Sequence, residues 1–170
     1  MEKIYTALGL MSGTSMDGVD ASIISSVDGT QYEGEFNRYY EYDKALYQKL
    51  SSLRDKIFTS KDLKKLSKEV KSIEKEITLF HAKVVNDVNH SVKKSTISRP
   101  EIIGFHGQTI FHNSKEKISV QLGNGKLLSQ LTKKTVIYDF RQNDLKNGGQ
   151  GAPLTPIFHK SLRNKVWGNR

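Results

Sequence analysis

The chain has 170 residues, 27 Lys and Arg against 18 Asp and Glu, a formal net charge of +9, and no cysteine. That length fits one domain with a sizeable core, and the missing cysteine excludes a disulfide framework, a thiolate nucleophile and a zinc site built on sulfur. No run approaches the roughly 18 apolar residues of a membrane span. Met1-Glu2-Lys3-Ile4-Tyr5 lacks the apolar stretch of a signal peptide, so a cytoplasmic protein with no membrane partner is expected. From the N-terminus, Lys3–Leu10 predicts a buried strand, Gly9–Gly18 a turn-rich loop and Val19–Ser26 a second strand. Asp28-Gly29 carries a hairpin signal, and Glu35–Tyr42 reads as a third strand, which makes an antiparallel meander.

Helical spacing begins at Asp43, with Leu46, Leu50 and Leu53 on one side. A clearer stripe follows: Leu63, Leu66, Val70, Ile73, Ile77, Phe80, Val84 and Val88 step by threes and fours. Thr59 or Ser60 is the expected N-cap and Ser98-Arg99-Pro100 the end. A helix over 61–92 would be roughly 48 Å long, so it either projects, breaks near Asn86–His90 or packs on something outside the chain. A helix laid on a sheet is the preferred reading. Residues 61–99 carry ten Lys and Arg against five acids, +5 of the net +9. Phe80, the one Phe, Tyr or Trp in this run, lies on the apolar stripe, so stacking on bases has no support. The run is read as a solvated helix face, and no nucleic-acid partner is expected.

Glu101–Phe105 and Ile118–Leu122 predict strands, Leu127–Leu131 a short helix and Thr135–Phe140 another strand. A helix then starts at Thr155-Pro156. Strands, then helices, then alternation define an α/β class with a mixed sheet.

Three polar loops follow predicted strands, where ligands of open α/β sheets sit. In the first, residues 9–18, glycines admit an anion to the backbone, and Ser12, Thr14 and Ser15 can donate to phosphate oxygens. Asp17 and Asp20 could meet a Mg2+ ion directly or through water. An ordinary hairpin loop has the same composition. The second, residues 104–109, offers His106 and Gln108 between small residues, and nearby His112 is read as structural. The third, residues 141–154, sets Asp139, Arg141 and Asp144 before a glycine-rich stretch. A carboxylate there can act as a general base, with Arg holding an anionic group; a turn with a surface ion pair is the alternative.

Together the loops are more specific. Leu8-Gly9-Leu10-Met11-Ser12-Gly13-Thr14-Ser15-Met16-Asp17-Gly18-Val19-Asp20 resembles the opening phosphate loop of the anhydro-N-acetylmuramic acid kinases. Ile103-Gly104-Phe105-His106-Gly107-Gln108-Thr109 is similar to their second signature. Gln121-Leu122-Gly123-Asn124, Asp139–Asp144 and Gly148-Gly149-Gln150-Gly151-Ala152-Pro153-Leu154 resemble the third. The resemblance implies a ribonuclease-H-like domain of the actin-like ATPase class over residues 1–154, with antiparallel first strands and flanking helices. Residues 155–170 would begin the crossing to a second domain.

It further implies ATP and Mg2+ as cofactors and an amino sugar as the small-molecule partner. The sugar's 1,6-anhydro bond would be hydrated and carbon six phosphorylated in peptidoglycan recycling. Gly13, Thr14, Ser15, Met16, Asp17, Gly18, Val19 and Asp20 would cradle the phosphates. Asp144 would be the base, and His106, Gln108 and Arg141 would meet the sugar; the metal ligands stay open. Family members continue through a second domain. The chain is therefore expected to be a fragment or the product of a truncated gene, inactive alone, with Ile157-Phe158-His159 and Trp167 as unpartnered apolar surface. Its partner would be a second copy or a missing C-terminal half. The rival reading is a non-catalytic remnant used for binding or dimerisation.

Overall fold

The computed structural model describes residues 3–27 and 32–167, and at Ile157 and beyond Leu162 the backbone alone. β1 (Tyr5–Ser12) and β2 (Gly18–Ser26) form an antiparallel hairpin whose register runs from Tyr5↔Ser26 to Met11↔Asp20. β1 buries Thr6, Leu8, Leu10 and Ser12 on one face and exposes Tyr5, Gly9 and Met11 on the other, the period-two signature of a strand. β3 (Glu33–Glu41) adds antiparallel to β2, completing the expected meander. The Asp28-Gly29 turn lies outside the described residues. Pairing through Met11 and Ser12 draws Gly9–Ser12 into β1, so the first loop shrinks to residues 13–17.

α1 (Lys44–Arg54) starts at Asp43, whose carboxylate accepts the Leu46 N–H at 2.9 Å, and buries Leu46, Leu50 and Leu53. α2 (Ser60–Lys65) opens with a Thr59–Asp62 capping box. α3 (Ser67–Val92) follows after a bend at Leu66. The single helix considered over 61–92 is thus interrupted at Leu66, and of the alternatives weighed for it the break near Asn86–His90 does not occur. Leu63 and Leu66 are only half-buried while fully buried positions begin at Ile73, so packing fixes the helix axis only from there on. α1 and α3 cover the face carrying Leu8, Leu10, Val19, Ile23, Ile103 and Phe105, one continuous core. The lysines of α3 point outward, and Lys49–Glu76 and Lys56–Glu69 pair across exposed helix surfaces.

β4 (Ile102–Asn113) is the long central strand. It runs parallel to β1 on one edge. On its other edge it meets β6 (Thr135–Tyr138) in parallel over Ile102–Phe105 and β5 (Ile118–Leu122) in antiparallel over Gln108–Asn113. The segment 104–109, expected as a loop, is therefore strand, held by partners on both sides. α4 (Gly125–Thr132) connects β5 to β6. Then α5 (Phe140–Lys146) occupies what was expected as an open loop from residue 141 on. α6 (Pro156–Trp167) ends the described chain. Phe158 is 38% exposed with its ring edge-on to Tyr32 at 5.4 Å; the side chains of Ile157 and Trp167 are outside the described part.

Candidate active site

The parallel strands β1, β4 and β6 deliver their C-terminal ends to one end of the sheet, where ligands of such sheets bind. The β1–β2 loop, residues 13–17, is exposed at Thr14, Ser15 and Asp17 but anchored beneath. Met16 is 2% exposed and holds a left-handed backbone (φ 60°), with its N–H on the Gly13 carbonyl at 3.3 Å. The Tyr42 N–H caps the Asp17 carbonyl at 2.8 Å. Ser15 Oγ donates to Asp17 Oδ1 at 2.5 Å, which holds the Asp17 carboxyl below its ordinary range. Among the described residues no hydrogen bond engages Thr14. Met16 and Val19 put their side chains in the core, so only their backbones face a ligand. Gly18 and Asp20 belong to β2, Gly18 buried and Asp20 exposed.

Ser12, expected as a phosphate donor, is instead fully buried. Its hydroxyl lies 2.8 Å from Tyr42 Oη and 3.3 Å from His81 Nε2, and His81 Nδ1 lies 2.8 Å from the Ile77 carbonyl. Burial pushes the His81 pKa down to about 4 and raises that of Tyr42. Neither residue was singled out from sequence. The signal was there, since His81 falls four residues after Ile77 and three before Val84 on the apolar stripe.

β4 reaches both neighbouring loops because of a bulge. Its register with β1 slips between Leu10↔Phe105 and Ser12↔Gln108. Gly107 sits there at φ 73°, where an added Cβ would meet the Leu122 carbonyl oxygen at 2.6 Å. Gln108 is fully buried and donates Nε2–H to the Gly13 carbonyl at 2.7 Å; its Oε1 has no partner among the described residues. His106 turns to the other loop. Its Nδ1 faces the Gly107 carbonyl at 2.7 Å, and Arg141 Nε donates to its Nε2 at 3.0 Å. That donation fixes the Nδ1–H tautomer. Burial, and then the Arg141 charge, lower the His106 pKa, and burial lowers that of Arg141.

Arg141 and Asp144 grip both backbone polar groups of one residue, Gly151. Arg141 Nη1 donates to the Gly151 carbonyl at 2.6 Å, and the Gly151 N–H donates to Asp144 Oδ2 at 2.7 Å. Gly149 lies so close that a Cβ there would overlap the Asp144 carboxylate. These contacts take the place of the surface ion pair weighed for this loop, because Asp139 takes a left-handed turn (φ 63°) that starts α5 and sends Arg141 toward β4. Asp139 lines a cavity of about 140 Å³ with Phe105, His106, Gln121, Gly123 and Tyr138. Among the described residues no group of three or more His, Cys, Asp or Glu is placed to share a metal ion.

The strand pattern β3-β2-β1-β4 continued by β6, with β2 alone reversed among β1, β2, β4 and β6, defines a ribonuclease-H-like domain of the actin-like ATPase fold. Its first hairpin carries the glycine- and hydroxyl-rich loop. The family model for anhydro-N-acetylmuramic acid kinase matches residues 5–168, and the chain belongs to that family. It is 57% identical over 97% of its length to an anhydro-N-acetylmuramic acid kinase of Pelagibacter ubique. It is 36% identical over 95% of its length to one of Agrobacterium fabrum, and 37% identical over 97% to one of Rhizobium etli. The chain spans 43–44% of the length of these curated relatives. No helix among the described residues is long and apolar enough to cross a membrane.

Proposed function

We propose that this chain is the N-terminal part of a cytoplasmic, ATP-dependent carbohydrate kinase acting on anhydro-N-acetylmuramic acid in peptidoglycan recycling. Residues 1–154 form its first domain, and 155–170 begin the crossing to a second. The reading rests above all on the loop at residues 13–17, exposed donors on a buried footing at the end of β1. Backbone N–H groups and the Thr14 and Ser15 hydroxyls suit phosphate oxygens. Mg2+ neutralises phosphate charge when bound, and the exposed Asp17 carboxylate fits it as a ligand through water.

In the reaction, Asp144 takes a proton from the water that attacks the anomeric carbon. Oδ2 keeps Asp144 in place through the Gly151 N–H, which leaves Oδ1 for the proton. The bond from carbon one to the bridging oxygen breaks. That oxygen, on carbon six, accepts the γ-phosphoryl group of ATP, and ADP leaves. His106 lines the cavity, Arg141 is hydrogen-bonded to it, and both bind the sugar; Gln108 acts by holding the phosphate loop. Phosphoryl transfer depends on positioning and electrostatics, so residues 1–170 by themselves should turn over negligibly.

Titrating the isotope-labelled chain with ATP, with and without Mg2+, tests the phosphate loop. Amide shifts should concentrate at residues 13–18. Shifts centred on α3, or none at ATP on the order of 10 mM, weaker than any useful site, would remove the proposal's basis.

A further inference from the structure

We infer that Tyr42 and His81 are positioning residues that set the phosphate loop through Ser12, an inference that rests on the phosphate-loop reading above. The three side chains come from the residue that follows β3, from α3 and from the last residue of β1. They are 4%, 0% and 0% exposed respectively for Tyr42, His81 and Ser12. Their hydrogens have one consistent arrangement. The Ile77 carbonyl can only accept, so His81 Nδ1 carries the proton. Neutral His81 then offers Nε2 as an acceptor, which Ser12 Oγ–H fills at 3.3 Å. Ser12 Oγ in turn accepts from Tyr42 Oη–H at 2.8 Å. The chain of donors runs one way, Tyr42 to Ser12 to His81 to Ile77, and each member orients the next.

Ser12 is where this chain meets the site. The next residue is Gly13, whose carbonyl takes the Gln108 amide and the Met16 N–H. Tyr42 also reaches the loop's far end, where its backbone N–H caps Asp17. The loop is thus clamped at both ends by one residue and from below by two more. His81 packs edge-to-face on Phe105 with ring centroids 4.9 Å apart, and Tyr42 on Phe80 with centroids 4.8 Å apart, so neither ring can turn away without disturbing the core. Buried polar groups are costly in a packed core unless they are satisfied. Here they are satisfied by each other, and the geometry they fix is that of the strand end bearing the loop.

The test is amide hydrogen exchange in the ligand-free chain, residue by residue, alongside affinity for tripolyphosphate. Tyr42→Phe and Ser12→Ala remove one oxygen each, so folding is retained. Each should speed exchange at residues 13–17 by about tenfold, the effect of one net hydrogen bond. Because either change breaks the same chain, the double variant should be no faster than the larger single. His81→Gln, whose carbonyl can take the Ser12 proton, should restore most protection that His81→Leu loses. Tripolyphosphate affinity should fall with protection, which a role confined to core packing does not require. Unchanged loop exchange in Tyr42→Phe, multiplicative effects in the double variant, or faster exchange spread evenly along β1 and α3 would each overturn the inference. If the loop loosens as stated while the unaltered chain does not bind tripolyphosphate, the positioning stands and the phosphate reading falls.

Discussion

Replacing Gln108 with Met separates what holds the domain from what holds the loop. Gln108 is fully buried and donates to the Gly13 carbonyl at 2.7 Å, while its own Oε1 meets no partner among the described residues. Met has nearly the same volume and length, so repacking costs little. Losing the hydrogen bond costs about 0.5–1.5 kcal/mol. Gly13 O is not stranded, because the Met16 N–H still reaches it at 3.3 Å. On the other side, the substitution removes a buried acceptor whose desolvation costs about 1–3 kcal/mol when unmet. The opposing terms are of similar size, so global stability should change by no more than about 1 kcal/mol. The loop, however, loses its only tether to β4 among the described residues. Urea unfolding should therefore give a nearly unchanged midpoint, while exchange at Gly13–Asp17 rises and ATP affinity drops. A stability loss above about 3 kcal/mol, the range for breaking a well-satisfied buried network, would mean that Gln108 is a core element. A loop as protected as before would mean that the tether does nothing.

Gly149→Ala should displace Asp144 without altering its chemistry, since the new Cβ overlaps the carboxylate. The charged hydrogen bond to Gly151 is worth about 1.5–3 kcal/mol and the stiffer unfolded chain returns about 0.4–1 kcal/mol, so a net loss of about 1–2 kcal/mol is expected; a calorimetric midpoint equal to the parent's would refute it. Stability should also fall on acidification between pH 6.5 and about 4, because buried His81 resists protonation down to about 4 while the unfolded chain takes up its proton near 6.5. The unfolded state binds more protons in that window, so ΔG of unfolding rises with pH there, by about 3 kcal/mol in all, and His106 adds with the same sign. Urea titrations at pH 5 and 7.5 check this: His81→Gln should flatten the slope, and an equal slope in both proteins would contradict it.

The frame was legible where one pattern dominated. The antiparallel meander followed from three successive strands joined by turn signals, and α1 from the spacing of Leu46, Leu50 and Leu53. Ile118–Leu122 matched to the residue. The glycines misled around residue 104–109, since Gly104 and Gly107 read as punctuation. Pairing on both edges of β4 overrode that local signal, and Gly107 became a bulge that points His106 and Gln108 at different loops. The site's residue types were legible, but not its wiring. Ser12 looked like a ligand donor because hydroxyls cluster there, yet strand alternation buries it beside Leu10 and Thr6. Asp139 and Arg141 read as parts of a loop or a turn with a surface ion pair, whereas a left-handed residue at Asp139 starts a helix there. Tyr42 and His81 escaped notice because a polar residue on an apolar stripe is recognisable only when its partners, 30 and 69 residues away, are known.

The assignment of Asp144 as the base is tested most directly by turnover of anhydro-N-acetylmuramic acid and ATP in a protein with both halves, comparing Asp144→Asn with Asp139→Asn at saturating substrates. Asn at position 144 can still accept the Gly151 N–H but cannot take the water's proton, so its rate should fall on the order of 10²–10⁴-fold with ATP binding nearly intact. Asp139→Asn, which changes a residue at the start of α5, should keep most of its activity. Abolished turnover in Asp139→Asn with fold and substrate binding intact, beside an active Asp144→Asn, would contradict the account and exchange the roles of the two carboxylates.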